Sequence, residues 1–229
     1  MKEQCLNLLS QSDTFAVIEF LDQQEDQLRV AKTYSELVKH LYWKEKNVPA
    51  MVALARAGIQ YALAMGTIVS EQDLVKTLLL RSEAKTIAYN LASYTWIGWD
   101  EQGITLTESD ECHGLEAARI NLRLAFELEK GDMRISRGYW MKASQLLSAG
   151  EFAASRHDFQ KAVIYAARDG AEADRLISRG FELLVDLLQD PQDAAAQAAL
   201  DEVKSQFAPL EHGQMYIDQI DTAWRVFTQ

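Results

Sequence analysis

Apolar residues along this chain recur at spacings of three and four, the period of an amphipathic helix. Valine, isoleucine and threonine never gather into alternating runs, so no strand is predicted. The pattern predicts a short helix over residues 2–10. Ser12-Asp13 then read as an N-cap for a helix carrying Phe15, Val17, Ile18, Phe20 and Leu21, which the polar run 22–27 continues or frays. A helix over Tyr34–Leu41 is followed by a turn at Lys44–Asn47. Pro49 sits in the first turn of the next helix, where its missing N–H costs nothing, and that helix runs through Ala50, Leu54, Ala57 and Tyr61 to about Gly66. Ser70 with Asp73 resembles a capping box, opening a helical pattern that reaches about Trp96 with a break near Ser82. Residues 98–114, rich in Gly, Asp, Glu and Thr, read as the one long loop. Helix resumes at Leu115 and stops at Gly131. Two helices follow within 132–168, turning at Gly150 and stopping at Gly170. Further helices cover 171–188, a segment opened by Asp190-Pro191, and 214–227.

Residues 139–162 are the most informative stretch. Small residues (Ala143, Ser155, Ala162) fall where two helix backbones approach closely, and large ones (Tyr139, Leu146, Phe152, Phe159) where a side chain fills the facing groove. With Lys142 and Gly150 in their places, this order resembles a tetratricopeptide repeat, a helical hairpin of about 34 residues that stacks into a solenoid. Lys142 departs from the pattern, since leucine is usual there. A hairpin with Tyr34, Leu37, Val38 and Leu41, then Ala50, Leu54 and Ala57, has the same metric: Tyr34 to Ala50 and Tyr139 to Ser155 are both 16 residues. It lacks the turn glycine. A third hairpin, with Leu91-Ala92 and then Ala118, Leu122 and Ala125, is interrupted, because Ala88 to Ala118 is 30 residues.

The resemblance implies an all-α fold of antiparallel helical hairpins stacked as a right-handed superhelix, about nine or ten helices. Its hairpins would cover about 31–66, 84–130 with an inserted loop at 98–114, 132–169 and 171–208, with a capping helix at 213–228. The N-terminal helices of 1–30 would join this 31–229 repeat domain as one continuous body. In such repeats the first helix of each pair lines a concave groove. The groove positions carried over are Lys39, Tyr42 and Trp43; Tyr89, Ser93 and Trp96; and Arg137, Trp140 and Ser144. Rings that anchor apolar side chains and cations that hold a carboxylate suit a peptide segment of another protein. The other reading of the tryptophans is core filler.

The chain has 229 residues and a formal net charge of −11. That sign repels phosphate backbones and anionic lipid, so neither nucleic acid nor membrane is an expected partner. Cys5 and Cys112 form no spaced motif and fit a reducing compartment. No signal-type apolar core opens the chain and no bilayer-spanning segment stands out, so a cytoplasmic protein is expected. Charge is uneven. Residues 100–116 carry six acids and no Lys or Arg; 171–229 carry eleven acids against four bases; 132–170 carry six bases against four acids. A basic middle between acidic flanks would steer an acidic peptide to the middle.

Asp110, Cys112, His113 and Glu116 are the only dense set of ligand-type side chains, with His113 and Glu116 on one face if the helix starts early. No second His/Cys pair completes a tetrahedral site. Cys112-His113 are adjacent in sequence, a poor arrangement for a thiol–imidazole pair, and no orienting acid is identifiable. His40, His157 and His212 are isolated. No glycine-rich phosphate loop, G-x-S-x-G or H-E-x-x-H occurs. The expectation is therefore a scaffold without catalysis, cofactor or metal. The alternative is a helical enzyme or ligand-responsive protein using the 100–116 loop. A homodimer through uncovered edge hairpins is a third expectation.

Overall fold

The structure, a computed structural model, describes residues 1–229 and contains eleven α-helices and no strand. They are α1 (Lys2–Gln11), α2 (Thr14–Asp22), α3 (Gln27–His40), α4 (Val48–Ile68), α5 (Leu74–Tyr94), α6 (Glu108–Glu127), α7 (Asp132–Ser148), α8 (Phe152–Asp169), α9 (Glu172–Gln189), α10 (Ala194–Gln206) and α11 (Gly213–Phe227). A π-helical turn, Leu41–Glu45, extends α3, and a 3₁₀ turn covers Ile97–Trp99.

Side-chain caps set most of the starts. Asp13 accepts from the Ala16 amide, Asp26 from Arg29, Asn47 from Ala50, and Asp193 from Ala195 and Ala196. Several expected boundaries move. The run 22–27 does not continue α2: residues 23–26 leave the helix and Asp26 caps α3. Asp73 is itself the N-cap of α5, accepting from the Lys76 amide, whereas the Ser70 hydroxyl donates back to the Thr67 carbonyl. α5 passes Ser82 unbroken. The expected loop 98–114 is shorter, because Thr107 and Asp110 form a reciprocal capping box and α6 begins at Glu108. Glu108, Asp110 and Glu111 lie in its first turn, where the positive end of the helix favours the exposed Glu108.

The chain divides into two compact units, Met1–Thr95 with Gly103–Leu128, and Trp96–Gln102 with Glu129–Gln229. In the first, α5 and α6 are antiparallel: Arg81 pairs with Glu127, and one helical turn on Asn121 donates to the Lys85 carbonyl at 3.0 Å. Small residues let the helices approach. Ala31, Ala62 and Ala84 share a buried cluster with Val69, Leu80 and Leu124. At Gly58 a Cβ would stand 2.7 Å from Tyr34 Cβ, so the close passage of α4 over α3 requires glycine. By length and composition α4 could cross a bilayer, contrary to the expectation that no segment could; half of the apolar window is buried, as in a core helix.

In the second unit α7 and α8 form an antiparallel hairpin. The Ser136 hydroxyl donates to the Ala162 carbonyl and the Ser155 hydroxyl to the Ala143 carbonyl, both at 2.8 Å. Each hydroxyl is small enough to sit at a backbone crossing and finds its acceptor on the facing helix. Gly150, at φ 72°, makes the turn between them. α9 packs antiparallel on α8, where the Arg156 guanidinium clasps Asp186 and Gln160 donates to Glu182. Trp96, Trp140, Phe159 and Phe181 form an aromatic core, with ring centroids 5.1–6.3 Å apart.

Candidate functional site

The nine groove positions fall into both units. In the second, Trp96, Trp140 and Ser144 are buried: Trp96 and Trp140 belong to the aromatic core, and the Ser144 hydroxyl donates to its own helix at the Trp140 carbonyl. Arg137 is half-buried, and its guanidinium grips Asp174 with two bonds of 2.6 and 3.1 Å. The basic middle is similarly engaged. Lys142 Nζ lies 2.9 Å from Asp158 Oδ2, and Arg156 faces both Glu182 and Asp186. Three of its six bases are thus opposed by carboxylates within the unit, which weakens the steering expected from the sequence.

In the first unit the positions are more accessible. Lys39 and Trp43 are exposed, Tyr89 and Ser93 are half-buried, and Tyr42 is buried. Trp43 is 53% exposed. It is nevertheless fixed: its indole N–H donates to the Tyr94 hydroxyl at 3.1 Å. Its ring stands edge-on to Tyr42 (4.9 Å, 87°) and to Tyr94 (5.9 Å, 84°). Tyr42 in turn lies flat on Tyr94 at 4.0 Å. Lys46, in the left-handed conformation that closes the π-helical turn, places Nζ 5.5 Å from the Tyr42 and Trp43 rings. Burial pushes the Tyr94 phenol up, and the hydrogen bond from Trp43 opposes that, so the hydroxyl stays protonated near neutral pH.

Chemically this is a fixed, solvent-facing indole with the Lys46 ammonium 5.5 Å from its ring, and Glu45 of the same turn lies 3.1 Å from the His40 imidazole. Tyr94 and Lys46 were absent from the sequence-based set. Trp43 and Tyr94 are 51 residues apart, and no periodicity links them. The extra π-helical residue re-aims Trp43, a change invisible to a 3.6-residue pattern.

The 100–116 set is dispersed. Asp100 pairs with Arg225 at 2.9 Å in the second unit. In the first, Asp110 is held by the capping box and Cys112 is exposed. His113 Nδ1 is 3.7 Å from Glu116 Oε2, on one face as expected for an early helix start. No three His, Cys, Asp or Glu side chains converge in metal-holding geometry. Burial, then the charges of Glu108 and Asp110, raise Glu111 above the usual carboxylate range. An acid raised in the folded state costs stability while ionised, and the cost fades as pH falls through its folded-state titration. Glu111→Gln is therefore expected to raise the melting temperature at pH 7 and to have no such effect at pH 3; thermal melts at both values check this.

Compared with known protein families, curated proteins and solved structures, the chain matches none. What the fold and site define is a class: an all-helical protein whose first unit fixes one solvent-facing indole, Trp43, on two buried tyrosines.

Proposed function

We propose that this protein is a tetratricopeptide-like scaffold that binds a peptide segment of a partner protein at the Trp43 cluster. The carrying observation is Trp43 itself, a large aromatic left exposed yet held by a hydrogen bond and two ring contacts. Fixing an interface aromatic before binding lowers the ordering cost of association, and such residues dominate binding energy. The exposed lysines Lys39 and Lys44, four residues before Trp43 and next to it in the chain, favour a segment with an apolar side chain next to a carboxylate. The repeat reading draws support from the α7–α8 hairpin, where Ser136, Ala143, Ser155 and Ala162 meet at the backbone crossings and Phe159 fills the space between.

The test is selection from a random peptide library on the immobilised full chain, followed by titration of the selected peptides by fluorescence anisotropy. Peptides rich in apolar–acidic pairs are expected, with affinity falling about thirtyfold or more for Trp43→Ala. Selected peptides that bind Trp43→Ala as tightly as the parent would remove the cluster from consideration.

A further inference from the structure

An open cleft of about 690 Å³ lies on the first unit, between the end of α2, the start of α3 and one face of α4. Asp22, Glu25, Gln27, Tyr34, Gln60 and Tyr61 supply its polar and aromatic wall, and no Lys, Arg or His lines it. Tyr34 is fully buried, yet its hydroxyl has no hydrogen-bond partner; Gln27 Oε1 is likewise buried and unpartnered. Buried polar atoms are nearly always satisfied, so two orphans beside one cleft mark a place where a ligand completes the bonding: Gln27 Oε1 calls for a donor, and the Tyr34 hydroxyl can accept from one while turning its own proton toward Asp22.

We propose that this cleft binds a primary ammonium group, on a free amine or on a lysine side chain. The wall carries two exposed carboxylates, Asp22 and Glu25, with the buried Gln27 amide oxygen and Tyr34 hydroxyl behind them and the mixed donor–acceptor amides of Gln24 and Gln60 beside them. An ammonium brings three N–H donors and one positive charge, which matches that set, whereas a carboxylate or phosphate would be repelled by Asp22 and Glu25. The half-buried Tyr61 ring, 6.0 Å from the Tyr34 ring, adds aromatic surface that favours a cation. A volume of this size holds a small organic molecule or one long side chain. Burial, followed by the negative charge of Asp22, raises both phenols, so they remain neutral hydroxyls at physiological pH. Gly58 builds the site, since only glycine lets α4 pass close enough to pin Tyr34 behind the cleft.

The experiment is calorimetric titration of the full chain with 1,4-diaminobutane, n-butylamine, the peptide acetyl-Gly-Lys-Gly-amide and tetramethylammonium. A primary amine is expected to bind with Kd of about 1 mM or tighter. Asp22→Asn and Tyr34→Phe should each weaken it about tenfold or more. Tyr34→Phe should cost the unliganded protein no stability, because it deletes an unpaired hydroxyl; this separates lost binding from lost folding. Binding of diaminobutane alone assigns a free amine, and binding of the peptide alone assigns a lysine. Trp43→Ala should leave amine binding unchanged, so this site and the peptide surface fail or succeed separately. The proposal is overturned if no primary amine binds, if tetramethylammonium binds equally well, or if both cleft variants bind as the parent does.

Discussion

Trp96→Ala is expected to destabilise the second unit by about 3–5 kcal/mol, the range for emptying a large aromatic site in a packed core. Trp96 is 1% exposed and its ring meets Trp99, Trp140 and Phe181 at 4.7, 5.5 and 5.7 Å. The indole also folds back over its own chain: a Cβ on Gly98 would lie 2.2 Å from it, so nothing larger than hydrogen fits there. The void left by alanine is bordered by rings that cannot collapse inward without losing their edge-to-face contacts. Trp96→Phe should cost far less, below about 1.5 kcal/mol, because a ring remains and the buried indole N–H, which has no partner, is removed. Urea unfolding of both variants decides the matter. Equal losses for alanine and phenylalanine would show that the cluster is not held by ring packing.

Lys142→Leu would remove the departure from the tetratricopeptide pattern that the sequence of this hairpin resembles, and it is expected to destabilise by about 3 kcal/mol at pH 7. The reason lies on the facing helix. The Asp158 side chain is 6% exposed, and Lys142 Nζ stands 2.9 Å from its Oδ2. That oxygen accepts no well-angled hydrogen bond, so the pairing rests on charge. Leucine would leave the carboxylate buried and unopposed, which costs more than the pair itself is worth. Lys142→Leu/Asp158→Leu should recover most of the loss, since an apolar pair can replace a buried ion pair. In urea unfolding, a double variant no more stable than Lys142→Leu alone would contradict this account.

The two residues also show where reading the sequence succeeds and stops. The hairpin containing them was legible: Gly150 marked the turn, Gly170 the stop, and Ala143, Ser155 and Ala162 the crossing of α7 and α8. Lys142 was visible only as a departure from a pattern, because its partner lies 16 residues away on another helix. Ser70 and Asp73 show the same limit at short range. Either could cap, and the geometry chose the aspartate adjoining the helix. α6 starts at Glu108 rather than Leu115: an acidic, glycine-containing stretch reads as loop, although Thr107 with Asp110 is a capping pair.

The candidate site was less legible than the fold. Trp43, Trp96 and Trp140 had equal standing as groove positions, yet Trp43 is solvent-facing and the other two are core. Tyr94, Lys46 and the cleft at Tyr34 had no signal, because they depend on contacts between α3, α4 and α5 rather than on any one helix. The sequence by itself determined the helical class, most helix ends and the hairpin of α7 and α8. These follow from local causes: hydrophobic period, caps, and glycines where φ turns positive. Only the tertiary structure decided which rings are buried, which charges are opposed, and where unpaired acceptors gather, because burial and pairing are properties of surfaces brought together by packing.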